Sequence, residues 1–192
     1  MTTLESYLSE EFQLSPVEIK AITSYFKPVT LKKNEYFQMA GNRCAKIAFI
    51  NQGVMRNYST NEDGTEVVKY MTSDGDYNTV YQYFVSQEPC PESIQAVTDC
   101  ELSVIGRTDF FQLREDSESF NKLIEKMVLK GLECKEQRLR SYLTEDAQKR
   151  YENLVQEQPK IVLHAPLHYI ASYLGITRET LSRIRNKKVT TA

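Results

Sequence analysis

Leu167 to Asn186 reads LHYIASYLGITRETLSRIRN, and the fold of the chain turns on this stretch. Ala171 stands four positions before Gly175, where a first helix must pack closely against a second. Gly175 sits at the turn, where a left-handed backbone is cheapest without a Cβ. Ile170, Leu174, Ile176, Leu181 and Ile184 fall at the positions of a small core between two helices. Thr177 is a good N-cap for the second helix. That helix opens Arg178-Glu179-Thr180, and its outer side continues with Ser182, Arg183 and Lys187. Arginine and glutamate at such a start reach base edges in a major groove. The pattern is a helix-turn-helix.

The charges agree with a nucleic-acid partner. From Lys160 onward, six basic residues (Lys160, Arg178, Arg183, Arg185, Lys187 and Lys188) face one acid, Glu179, for a net +5. The whole chain carries −2, so residues 1–159 carry −7. An acidic body with a basic end implies one localised contact, with phosphate attraction supplying much of the affinity.

Composition narrows the other classes. With 192 residues and 41% hydrophobic content, the chain can bury a core in one domain or two small ones. No apolar run approaches the ~20 residues of a membrane span. MTTLESYLSEEF lacks the basic and apolar blocks of a signal peptide, so a cytoplasmic protein is expected. Cys44, Cys90, Cys100 and Cys134 form no Cys-x-x-Cys pair and match no zinc or iron–sulfur spacing; reduced, mainly buried thiols are expected. His164 and His168 are separated by Pro166, and no nearby carboxylate completes a site. Neither a metal nor a cofactor is expected. No histidine precedes His164, and no nucleophile–base pair or Gly-rich phosphate loop is present, so catalysis is not expected.

Upstream, residues 4–26 read as helical, with Ser15 capping a second helix and Pro16 at its first position. From Pro28 to about Arg107 the pattern turns to strands. Gly41, Gly53, Gly64 and Gly75 recur about every eleven residues, each inside turn chemistry. Lys46–Ile50, Val54–Ser59 and Thr65–Met71 are strand candidates between them, and Ile94 to Ile105 supplies more, which suggests a sandwich or barrel. Residues 117–143 predict a long helix capped by Ser117 or Ser119. Its apolar side is Phe120, Leu123, Ile124, Met127, Val128, Gly131 and Cys134. That side packs on its own β-domain or meets a copy of itself; the second is favoured, because a helix-turn-helix usually reads two half-sites as a dimer. Glu145 to Gln158 predicts another helix, stopped by Pro159, and Ile161–Leu163 a short strand.

This order of elements, ending in TRETLSRIR, resembles the Crp/Fnr family of bacterial transcription regulators. The resemblance spans nearly the whole chain and is specific in its last 40 or so residues. It implies an α+β fold: an N-terminal double-stranded β-helix or jelly-roll (β-roll) domain over 1–116, a long dimerisation helix over 117–143, and a C-terminal winged-helix-like helix-turn-helix domain over 144–192. It implies a homodimer on double-stranded DNA, with RNA polymerase as a further partner. Arg178, Glu179 and Arg183 take the family's base-reading positions; His168, Thr177 and Thr180 take its phosphate-contacting ones, with Ser182 and Lys187 beside them.

Two departures matter. Family members that bind cyclic AMP use a Gly-Glu pair and a later Arg-Ser or Arg-Thr pair. Here Thr79-Val80 and Cys90-Pro91 take those places. No arginine lies between Arg56 and Arg107, and the only lysine there is Lys69, so tight cyclic-nucleotide binding is not expected. Tyr77, Thr79, Val80, Tyr81 and Cys90 outline a candidate pocket for an unidentified, uncharged small-molecule effector, or an aromatic cluster that merely fills the core; the filled state is favoured. A sensor module with vestigial DNA binding is the alternative function. The second departure is that few residues follow the recognition helix, so any wing is expected before Leu167.

Overall fold

Short polar caps start the chain. The structure, a computed structural model, describes residues 2–189. Thr3 accepts the Ser6 N–H at the start of α1 (Leu4–Phe12). Ser15 and Glu18 form a reciprocal capping box at the start of α2 (Pro16–Thr23), with Pro16 supplying the fixed φ of a first turn.

Strands β1 (Lys27–Leu31), β2 (Tyr36–Gln38), β3 (Lys46–Gln52), β4 (Met55–Thr60), β5 (Glu66–Thr72), β6 (Tyr77–Asn78), β7 (Ser93–Ala96) and β8 (Cys100–Gly106) follow. They make two antiparallel sheets, ordered β1-β8-β3-β6 and β2-β7-β4-β5. The sheets enclose Ala48, Ile50, Met55, Ile94, Leu102 and Val104 in a jelly-roll-like sandwich. Successive strand residues face opposite ways. Ile47 and Phe49 therefore leave that interior and join Leu4, Leu8 and Ile22 in a second core outside β3. Gly53 turns β3 into β4 at φ 119, and a Cβ there would lie 2.6 Å from Cys100 Sγ and 2.7 Å from the Asp99 carbonyl oxygen. Both the backbone angle and the close approach require glycine.

Two helices were not anticipated: α3 (Tyr81–Ser86) and α4 (Arg107–Asp116). Phe84 of the first and Phe110 and Leu113 of the second are buried in the core outside β3. Helix α5 (Glu118–Thr144) begins where Ser117 accepts the Phe120 N–H, while Ser119 donates instead to Glu18. Phe120, Leu123 and Ile124 are buried against the chain's own β-roll, with Met127 and Val128 packed beside them. The first half of the stripe favoured for contact with a copy is thus covered from within, while Met127, Val128, Gly131 and Cys134 stay half-buried. A different row, Leu129, Leu132, Leu139 and Leu143, is 57% to 77% exposed.

The remaining chain forms a helical head of α6 (Ala147–Glu157), α7 (Pro159–His164), α8 (Leu167–Leu174) and α9 (Arg178–Val189). Asp146 caps α6 by accepting the Lys149 N–H. The strand expected at Ile161–Leu163 is helix instead. Pro159 occupies the first turn of α7, where its missing N–H costs nothing, and Ile161 is buried in the head's core. Among the described residues no strand follows β8, so the wing expected before Leu167 is not formed. The head's core does not stop at the head. Tyr58, Val68 and Met71 of the β-roll join Leu154, Ile161 and Ile170 in one cluster.

Candidate nucleic-acid interface

The turn between α8 and α9 follows from its residues. Gly175 takes φ 67; its N–H bonds the Ser172 carbonyl at 3.1 Å, and the Ile176 N–H reaches back to the Ala171 carbonyl at 3.0 Å. This double closure is the Schellman arrangement, which favours glycine. A Cβ on Gly175 would also stand 3.0 Å from the Tyr142 ring of α5. Ile170, Ala171, Leu174, Leu181 and Ile184 are buried, as their spacing predicts.

Burying Leu181 and Ile184 turns the other side of α9 outward. Arg178, Glu179, Ser182 and Arg183 are exposed, and i, i+4 spacing puts them on one face. Thr177 Oγ1 accepts the Thr180 N–H at 3.2 Å and caps the helix. Arg183 donates to Thr180 Oγ1 at 3.2 Å, so three residues of this face are tied together. The Glu179 carboxyl is held below its ordinary range by its own backbone N–H at the helix start and by the Thr177 hydroxyl, with Arg178 and Arg183 adding to the effect. It is therefore an ionised acceptor at neutral pH. His168 is exposed in the first turn of α8, its ring 4.1 Å from that of Tyr169. Lys187 belongs to α9, but its side chain lies outside the described residues.

Polar contacts fix the head on the sheet, and sequence reasoning missed them. Arg56 of β4 is 2% exposed. It donates to Gln95 Oε1 at 2.7 and 3.0 Å and pairs with Glu66 at 2.6 Å. Its guanidinium lies between two rings, 4.0 Å from Tyr58 and 3.8 Å from Tyr169 of α8. The outer edge of β5 is covered by α8, where Ser172 Oγ accepts the Val68 N–H at 2.9 Å. Arg138 of α5 donates to the Tyr173 carbonyl at 2.9 Å, and Tyr142 donates to the same oxygen. The only sequence signal was an arginine inside a strand pattern, which periodicity alone does not interpret.

A cavity of about 560 Å³ separates the β-roll from α5. Tyr77, Thr79, Val80 and Tyr81 line it, as the candidate pocket required. Cys90 does not. Its backbone bonds Asn42 and Gly41, and its thiol is sequestered in the core with Cys44. Burial and the neighbouring Cys90 push the Cys44 thiol up to about 12, so it stays protonated. Burial also raises the Tyr77 hydroxyl well above its ordinary value. That hydroxyl is buried without a hydrogen-bond partner. Lys69 of β5 and Lys135 and Arg138 of α5 also line the cavity; the last two lie beyond the strand region searched by sequence for a cation.

The comparisons with known proteins agree with this architecture. Residues 28–117 match the cyclic nucleotide-binding domain family. No curated protein matches the sequence. FixK2 from Bradyrhizobium japonicum superimposes with a TM-score of 0.76 at 17% identity, covering 86% of this chain and 85% of that one. A protein of Eubacterium rectale assigned to the Crp/Fnr family of transcriptional regulators gives 0.71 at 19% identity over 96% and 88%. The catabolite activator protein of Thermus thermophilus gives 0.60 at 20% identity over 96% and 87%. At these identities the likeness is one of fold: a cyclic nucleotide-binding-type domain within a chain shaped like Crp/Fnr regulators.

Proposed function

We propose that the chain is a sequence-specific DNA-binding transcription regulator of Crp/Fnr type, acting as a homodimer and not controlled by cyclic AMP. In this reading residues 1–116 hold the β-roll, 117–143 pair the subunits, and 144–192 read DNA. The carrying observation is the outward face of α9: two arginines, an ionised glutamate and a serine on a helix whose opposite side is locked in the core. Arg178 and Arg183 donate to guanine O6 and N7, and Glu179 accepts from a cytosine amino group. Thr177, Thr180, Ser182, His168 and Lys187 serve the phosphates, which fix register without reading sequence.

The exposed leucines of α5 support the dimer. Leu129, Leu132, Leu139 and Leu143 follow the a/d spacing of a heptad, with Glu136 at the intervening a position. Such a seam pairs two helices, and a polar a residue fixes register at a cost in stability. Two parallel copies then present two heads to half-sites roughly 34 Å apart, or a multiple of that distance. Leu139→Asp should give a monomer by sedimentation and abolish binding to a two-half-site DNA.

The test of the function is selection of bound DNA from a random pool by the purified protein, followed by anisotropy titration. A palindromic motif whose affinity falls steeply with salt is expected. Arg178→Ala should lose ~1–3 kcal/mol at one base pair and relax preference there. A selection that enriches no motif, with no salt-dependent affinity, removes this reading.

A further inference from the structure

Cys44 and Cys90 are far apart in the sequence and match no metal-binding spacing, yet the fold brings them together. The antiparallel bridge between Arg43 and Pro89, and the Cys90 N–H bonded to the Asn42 carbonyl at 2.9 Å, set their two segments side by side. Both residues are buried, at 2% and 0% exposure, in the core outside β3. Their thiols are hydrogen-bonded to each other. Each sulfur is also met by a backbone N–H, that of Val80 at Cys44 and that of Glu92, at 3.4 Å, at Cys90. A buried cysteine that only fills space behaves as a small hydrophobe. Two sulfurs in contact, each facing an N–H, are instead suited to carrying negative charge, because hydrogen bonds of this kind support ligating sulfur. The other two cysteines stand elsewhere, Cys100 between the sheets and Cys134 on α5.

Among the described residues, no group of three or more His, Cys, Asp and Glu side chains could hold a metal ion. That donor set does not suit zinc, whose structural sites take four ligands. It does suit a soft cation satisfied by two thiolates. We propose that Cys44 and Cys90 bind one Cu(I) ion as a two-coordinate dithiolate, tying the segment before β3 to the segment before β7. The ion replaces the two thiol protons: Cu(I) and two R–SH give a Cu(SR)2 anion and two H+, with no change of oxidation state. A coordinated thiol gives up its proton outright, even where burial alone would keep it. The Val80 and Glu92 N–H groups offset the remaining negative charge. Ile47, Phe49 and Phe84 of the same core exclude the water that a harder ion would need. Val80, Pro91 and Glu92, which touch or flank the two thiols, also line the β-roll–α5 cavity, the side from which an ion enters. The site depends neither on the DNA reading nor on how the head is seated.

An oxygen-free titration of the full, reduced chain with Cu(I) buffered by bicinchoninate tests the site. The chain should take up one ion, and X-ray absorption at the copper edge should show two sulfur neighbours and no nitrogen or oxygen. The melting temperature should rise with the ion, because a metal held only by the folded chain adds to its stability, and Zn(II) should not raise it. Cys44→Ala and Cys90→Ala should each abolish uptake in a protein that still melts cooperatively. Cys100→Ser combined with Cys134→Ser leaves Cys44 and Cys90 as the only thiols and should bind as before. The proposal is overturned if bicinchoninate keeps the copper, or if a folded Cys44→Ala or Cys90→Ala chain still takes it up. Loss of uptake in the folded double serine variant, or a copper spectrum with nitrogen, oxygen or a third sulfur, overturns it equally. The last two readouts stand even where an alanine variant fails to fold.

Discussion

The sandwich carries an added layer on each outer face, and the two layers are held by different chemistry. Outside the β1-β8-β3-β6 sheet, α1, α2, α4 and the start of α5 are joined by Leu, Ile, Phe and Cys side chains. Phe110 alone meets the rings of Phe84, Phe111 and Phe120 at 5.1 to 5.5 Å. Outside the β2-β7-β4-β5 sheet, the head shares apolar contacts, but Arg56, Ser172, Arg138 and Lys160 stitch it down with directional polar ones. Apolar surface pulled apart has no substitute in water. A hydrogen bond does, so the net loss on exchanging a protein partner for water is modest. The helix layer is therefore expected to hold to the β-roll more firmly than the head does.

The comparison breaks first at Phe120. Phe120→Ala should cost about 3–5 kcal/mol in urea unfolding, since a fully buried ring leaves a cavity among other aromatics. A loss below about 1 kcal/mol would mean that the helix layer is as loosely seated as the head. Arg56→Met should cost less, about 1.5–3 kcal/mol, because Glu66 is half-exposed and can take water when its partner is gone. The pattern matters more than the size. Amide exchange should rise in α8 while the strands of the β-roll stay protected. Equal loss of protection in both would show that Arg56 serves the sandwich and not the boundary.

Next in size is Thr177→Ala. It removes an N-cap worth about 1 kcal/mol and lets the first turn of α9 fray. DNA affinity should fall while the selected sequence stays the same, because Thr177 orders the reading face without touching bases in the proposed interface. A changed sequence preference in the selection would instead put Thr177 among the readers.

These contrasts explain what the sequence disclosed. Local rules located whatever depends on neighbours in the chain: Ser15 and Pro16 at α2, Gly53 and Gly75 at turns, Ser117 as one of two candidate caps of α5, and Gly175 with Thr177 at the head's turn. They misread Ile161–Leu163, where three apolar residues suit a buried strand or a buried helix equally and Pro159 decides for helix. Contacts made across the fold had no local signature. Arg56 meets Tyr169, Val68 meets Ser172, and Arg138 meets Tyr173 only once the head has docked. The same holds for the cavity. Its β-roll side, Tyr77 to Tyr81, was legible as an aromatic run, but Lys135 and Arg138 arrive from α5, more than fifty residues on. The apolar stripe of α5 was visible as a period; which of two possible faces it would cover was not, because that depends on where the helix meets β3.

The smallest effect tests the boundary with protons. Asp74 in the turn after β5 pairs with Lys160 of α7 at 2.5 Å and accepts the Gly53 N–H at 2.9 Å. Burial pushes its carboxyl up, but the Lys160 hydrogen bond, the Gly53 N–H and the ammonium charge together carry it below its ordinary value. A carboxyl depressed by folding contributes stability that is complete above its unfolded value, about 3.9, and is lost as the pH falls through the lower folded one. Asp74 is 10% exposed but Lys160 is 53% exposed, so solvent screens the pair and its share stays below about 1 kcal/mol. Amide shifts of Lys160 and Ile161, followed from about pH 6 to pH 3, should move in a step that begins below pH 4 and is absent in Asp74→Asn. The helix layer offers a control, because Leu113 and Leu123 are buried among apolar side chains and should not follow that step. If Asp74→Asn keeps the step, the head is held against the turn by something other than this ion pair, and the polar boundary does not extend to Lys160.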